Sequence, residues 1–196
     1  MAARKAEVRR KTRETEITLS LTVDGEGRSE ISTGVGFLDH MLDLLARHGL
    51  FDLRIKATGD TQVDAHHTVE DVAICLGQAF KEALGERAGI RRFGQMSVPM
   101  EDSLAEVVLD LSGRGMLVYR VKFPSEKTGD FDVQLVEEFL RALAANAGMN
   151  LHVNVPYGRN SHHIAEAIFK ALAKALDAAT QLDPRVKGVP STKGVL

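Results

Sequence analysis

Two short stretches of this chain repeat one chemistry-bearing pattern, "HHTVED" at 66–71 and "NSHHIAEA" at 160–167. Each contains His-His-x-x-Glu: His66, His67 and Glu70, then His162, His163 and Glu166. One His-His pair at a helix start is ordinarily a polar cap or a surface patch. Two copies with matched glutamates point instead to a duplicated metal site. On a helix, residues i and i+4 share a face with Cβ atoms about 5–6 Å apart. His66 with Glu70, and His162 with Glu166, can therefore each grip one cation. The second histidine of each pair is turned about 100° around the axis, so it addresses a different ion. Two such helices facing each other across a pseudo-twofold would close two sites. One ion would take His66, Glu70 and His163; the other would take His162, Glu166 and His67.

The elements that carry these residues are themselves repeated. "HMLDLLARHGLFDLRI" (40–55) overlays "EFLRALAANAGMNLHV" (138–153) at a constant offset of 98, and the His-His-x-x-Glu copies align at 96. The duplication also supplies fourth ligands. His40 completes the ion held by His162 and Glu166, and its counterpart Glu138 completes the other. Imidazole and carboxylate together suit Mn, Fe, Ni or Zn.

Each half reads as strands, helix, strand, helix. Residues 16–24 alternate apolar and polar and predict a half-buried strand, with a return strand at 28–33. Helical periodicity covers 35–48, ended by Gly49, and another strand covers 50–58. A long helix spans 66–84. The second half predicts a hairpin of 106–113 with 116–123 around "SGRG", then a helix at 132–148. A strand at 150–155 and a helix at 161–179 follow. The fold class is α+β: a tandem duplication of a four-stranded sheet with two helices, the helices packed between the sheets. The expected units are 1–90 and 91–182, joined by a linker over 85–95, with an arm at 183–196. His48, beside Gly49, reads as a cation at a helix C-terminus.

Composition narrows the rest. The net charge is −2 and there is no Trp, which argues against a nucleic-acid partner. No apolar run approaches the roughly 20 residues of a membrane span. The lone Cys75 sits in an apolar run and reads as core. The basic start lacks a hydrophobic segment, and with the single cysteine this predicts a cytoplasmic protein.

At "GVGFLDHMLDLLARHGLFDL", "HHTVEDVAICLGQAF", "LDLSGRG" and "NSHHIAEAIFKALAKAL", the chain resembles the imidazoleglycerol-phosphate dehydratases of histidine biosynthesis. The resemblance runs from about Arg10 to Leu196. It implies a hydro-lyase that takes imidazole glycerol phosphate to imidazole acetol phosphate, with two Mn(II) per active site. It also implies a homo-oligomer of 24 subunits built from trimers, with active sites at subunit contacts. His40, His67, His162 and Glu166 resemble one manganese set, and His66, Glu70 and His163 the other. Of these, His40, His66, His67, Glu70 and His162 would also contact the substrate. Glu14 resembles a substrate-contacting carboxylate. Arg92, Arg114, Lys170, Ser191, Thr192 and Lys193 resemble contacts to substrate and its phosphate. Glu138 departs from the family, which commonly has His there; glutamate remains a hard oxygen donor.

The implied reaction breaks a weakly acidic C–H bond and expels hydroxide. Cations on the imidazole nitrogens would act as Lewis acids, and ring electron density would push out the side-chain hydroxyl. Glu14 is the expected general acid–base group, with His67 and Glu166 in the catalytic set. Two rival readings are a dinuclear metallohydrolase on a small phosphate ester and a non-catalytic, metal-assembled shell protein.

Overall fold

Alternation builds the first sheet. In the strand Thr15–Thr22, Ile17, Leu19 and Leu21 are buried while Glu16 and Thr18 face solvent. The computed structural model describes residues 3–196. A first strand, β1 (Lys5–Lys11), pairs antiparallel with β2 (Thr15–Thr22) from Lys5↔Thr22 to Lys11↔Glu16. Then come β3 (Ser29–Ser32), α1 (Gly36–Gly49), β4 (Asp52–Gly59) and α2 (His66–Leu84). β4 slots between β2 and β3, antiparallel to the first and parallel to the second, giving the order β1-β2-β4-β3.

The second half repeats this. β5 (Phe93–Met100), β6 (Ser103–Asp110), β7 (Met116–Arg120), α3 (Gln134–Ala147), β10 (Asn150–Tyr157) and α4 (Ser161–Thr180) give the order β5-β6-β10-β7. A small hairpin of β8 (Lys127–Thr128) with β9 (Phe131–Asp132) is inserted before α3.

Two expectations need correction. The strands at 28–33 and 116–123 do not return along their predecessors. Each is the first strand of a parallel crossover over a helix, and the strand after that helix takes the place beside β2 or β6. Parallel neighbours require such a connection. The true hairpin partners are β1 and β5, which the pattern did not reveal. β1 buries only Ala6 and Val8 among charged residues, as a guarded edge strand does. β5, in part assigned to the linker, carries Gly94 and Pro99, residues that demote a run from strand status. Gly94 is there because α4 lies directly on it: a Cβ would sit 1.9 Å from the Ala175 carbonyl oxygen.

The helices fill the space between the sheets and cross from one half to the other. α2 packs on β1 and β2 and against α3; α4 packs on β5 and β6 and against α1. One continuous apolar core results, including Phe51, Phe80, Phe139 and Phe169, each essentially inaccessible. Burying such a side chain stabilises by roughly 1.5–3 kcal/mol. Gly77 lets α2 close on α3, since a Cβ would lie 2.7 Å from that of Asn146.

Helix ends differ between the halves. Gly148 caps α3 in the left-handed region at φ 62°, whereas its counterpart after α1 is Leu50 at φ 57°. Gly49, read as the cap, lies within α1 and admits the Phe51 ring. In the linker, the buried Arg87 donates to the carbonyls of Leu111, Ala147 and Gly148 at 2.8, 2.6 and 3.0 Å. It thereby satisfies the C-terminal carbonyls of α3. The tail runs back over this linker through Gly89 N–H to Gly188 O and Asp183 N–H to Gly89 O.

Candidate metal centre

α4 begins where Asn160 accepts hydrogen bonds from the backbone N–H groups of His162 and His163 at 2.9 and 3.3 Å. This side-chain cap places His162 and Glu166 one turn apart on the face turned to α1. The first turn of α1 is held by Thr33, whose N–H and hydroxyl donate to Asp39 at 2.9 and 2.6 Å. His40 follows directly. The result is convergence on one oxygen: His40 Nε2 lies 2.9 Å and His162 Nε2 3.0 Å from Glu166 Oε1. The three ligand atoms lie within 4.8 Å of one another. Lys170, one turn on, donates to Glu166 Oε2 at 2.6 Å. Glu166 is 8% exposed. Burial opposes its ionisation, but hydrogen bonds from Lys170, His40 and His162 prevail and hold its pKa down to about 2. Two imidazoles and an ionised carboxylate aimed at one point form a mixed N/O donor set that fits a divalent first-row cation.

The other expected ligands stand apart from this group. His67 turns Nδ1 to Asp60, 3.0 Å from Oδ2, and its Nε2 is 3.9 Å from Glu14. The Asp60 hydrogen bond, opposed by desolvation, raises the His67 pKa. His163 turns Nδ1 to Asp102 at 2.7 Å. His66, its N–H held by Asp64 at 2.7 Å, rims a cleft of about 900 Å³ with His40, His162 and Phe37. Glu70 and Glu138 are half-buried on α2 and α3. Among the described residues, His40, His162 and Glu166 are the only group of three or more that could hold a metal ion. The expected closure inside one chain is therefore not what the fold provides. α2 packs on α3 and α4 on α1, so the two His-His-x-x-Glu segments share a cleft but do not form a facing helix pair.

The expected substrate contacts lie mostly at the linker and tail. Arg92 sits at φ 73° and donates through Nε and Nη2 to Asp110 at 2.6 and 2.9 Å, and through Nη1 to the Pro190 carbonyl at 2.8 Å. It fastens the arm that carries Ser191, Thr192 and Lys193, of which Thr192 and Lys193 are exposed. Arg114 is exposed in the "SGRG" loop, whose Gly113 abuts Leu196. Glu14 is exposed in the β1–β2 turn. At the end of α1, burial first, then Lys170 and Lys174, lower the pKa of His48, against the charge the helix end was expected to favour. Cys75 is buried in the core, which pushes its thiol up to about 11.

Sequence reasoning missed Asp60 and Asp102. The available signal was the second nitrogen of each diverging histidine, which needs an acceptor whenever the first binds a metal.

Residues 33–176 match the family model for imidazoleglycerol-phosphate dehydratase. The chain belongs to that family. A relative of the same name from Geobacillus kaustophilus is 63% identical over 194 residues, covering 99% of this chain and 100% of its own. One from Halalkalibacterium halodurans is also 63% identical, over 193 residues. Among solved structures, the Staphylococcus aureus imidazoleglycerol-phosphate dehydratase superposes with a TM-score of 0.84 at 40% identity, covering 91% of this chain and 99% of that one. The Pyrococcus furiosus enzyme gives 0.83 at 38%, over 96% and 100%. Membership makes the chain a hydro-lyase that dehydrates imidazole glycerol phosphate in histidine biosynthesis. The hydrolase and shell-protein readings do not carry that activity. Among the described residues no helix is long and apolar enough to cross a membrane.

Proposed function

We propose that the dehydration takes place at composite sites between subunits, each built around two Mn(II). The observation that carries this reading is the convergence of His40, His162 and Glu166, while the His67 and His163 rings stay outside that group. His40, His162 and Glu166 hold one ion, completed by His67 of the partner subunit. His66, Glu70 and Glu138 hold the other with a His163 contributed across the same contact. When bound, the ions supply Lewis acidity toward the substrate's imidazole ring.

The chain's own groups do the rest. Glu14, close to the His67 imidazole, moves the proton at the carbon that loses hydrogen. Arg114, Lys170 and the Ser191–Lys193 segment hold the phosphate, with Arg92 fixing that segment in place. Holding a remote dianion supplies binding energy that orients the ring. Lys170 also keeps Glu166 ionised, so the carboxylate remains a ligand rather than an acid. The assembly is a cytoplasmic homo-oligomer of 24 subunits built from trimers, and it closes the sites that one chain leaves open.

The test is metal analysis of purified protein beside an assay on imidazole glycerol phosphate. Two Mn per chain and loss of turnover on chelation, restored by Mn(II), are expected. Full turnover in metal-free protein would overturn the reading.

A further inference from the structure

We propose that Asp60 and Asp102 are positioning residues: each accepts a hydrogen bond from the Nδ1–H of a diverging histidine and so fixes Nε2 of His67 and His163 as the ligand atom. This rests on the metal reading above.

Both Asp60 oxygens lie within reach of His67 Nδ1, at 3.2 and 3.0 Å. Asp102 Oδ1 is 2.7 Å from His163 Nδ1. An ionised carboxylate only accepts hydrogen bonds, so the Nδ1 atoms must carry the protons. A neutral ring then has its lone pair on Nε2. Each aspartate is itself anchored. Asp60 N–H donates to the Glu14 carbonyl at 3.1 Å, and Asp102 Oδ2 accepts from Arg159 N–H at 2.8 Å.

The two carboxylates are not repeat equivalents, which argues for a shared demand rather than inheritance. Asp60 lies in the loop after β4, and its counterpart at offset 98 is Gly158. No side chain fits at 158: a Cβ would lie 2.6 Å from Ile164 Cγ1 and 2.7 Å from Ser103 Oγ. The second half delivers its carboxylate instead from the β5–β6 turn, where Glu101 takes φ 47° and Asp102 follows. Two unrelated backbone routes thus bring an acceptor to the same nitrogen of the same kind of histidine.

The experiment titrates Mn(II) into metal-stripped wild type, Asp60→Asn, Asp60→Ala, Asp102→Asn and Asp102→Ala by calorimetry, with a melting curve of each stripped protein. The alanine variants should bind Mn(II) about tenfold to a hundredfold more weakly, with the asparagine variants in between. Their metal-free melting temperatures should stay near wild type. Wild-type Mn(II) affinity in both alanine variants overturns the proposal. So does an affinity loss that merely follows a drop in melting temperature. Should an alanine variant not fold, the asparagine variant at that position decides by the same criterion. If wild type takes up no stoichiometric Mn(II), it is the metal reading that fails.

Discussion

His67 and Glu166 offer a direct test of where one active site ends and its neighbour begins. The structure gathers His40 and His162 around Glu166 but ties the His67 ring to Asp60 outside that group. A chain with His67→Ala keeps the group intact, and a chain with Glu166→Ala keeps the exported imidazole. Each homogeneous variant should be inactive. Differently tagged chains co-expressed in equal amounts should mix at random in a symmetric assembly. A composite site needs an intact Glu166 from one chain and an intact His67 from the other. In a heterologous contact, each condition is met half the time, so about a quarter of the sites should be whole. The assay is product formation from imidazole glycerol phosphate by doubly tag-purified particles, normalised to protein. About a quarter of wild-type turnover is the expected value. Turnover no higher than either variant alone, in particles shown by mass to be mixed, would refute the composite site.

Other outcomes follow from single contacts. Glu166→Gln removes the charge on which Lys170, His40 and His162 converge, and should cut turnover and Mn uptake by at least about a hundredfold; both are read by assay and metal analysis. Glu138→His should keep activity but change the ranking of Mn(II) against other divalent cations, and identical metal affinities before and after would show that residue 138 is not a ligand. Asp52 binds Arg28 and the N–H groups of Glu26 and Arg28, and its pKa is lowered from 3.8 to about 2, chiefly by the Arg28 hydrogen bond. Its stabilisation is therefore present above pH 3.8 and lost as pH falls toward 2. Since Arg28 is largely exposed, screening leaves about 1–2 kcal/mol. Asp52→Asn should lower the melting temperature by about 2–6 °C at neutral pH, with a deficit that shrinks on acidification; an equal deficit at both ends would contradict this.

The repeat made much of the fold legible. One constant offset linked Leu42 to Leu140 and Leu53 to Leu151, and these positions are buried in both halves. The helix starts at His66 and Ser161 were readable because the apolar stripe follows each His-His pair at once. Strand order was harder to read, because β4 and β10 displace chain neighbours that a short turn would otherwise pair. β1 and β5 were hidden by charge and by Gly94 and Pro99. The i,i+4 rule foresaw the contact of His162 with Glu166, and the repeat alignment singled out His40, which the fold brings to the same oxygen. Asp60 and Asp102 escaped because they reach their histidines through folding, from 7 and 61 positions away, and neither continues the pattern.

The cross-bracing of α2 on α3 and α4 on α1 constrains how such a molecule could arise. A single ancestral half would have presented bare, leucine-rich helices to water, and a lone four-stranded layer of that size cannot shield them. In the present chain each half shields the helices of the other. If the chain is severed near Gly85, the separated pieces should be insoluble alone and should reassemble when made together.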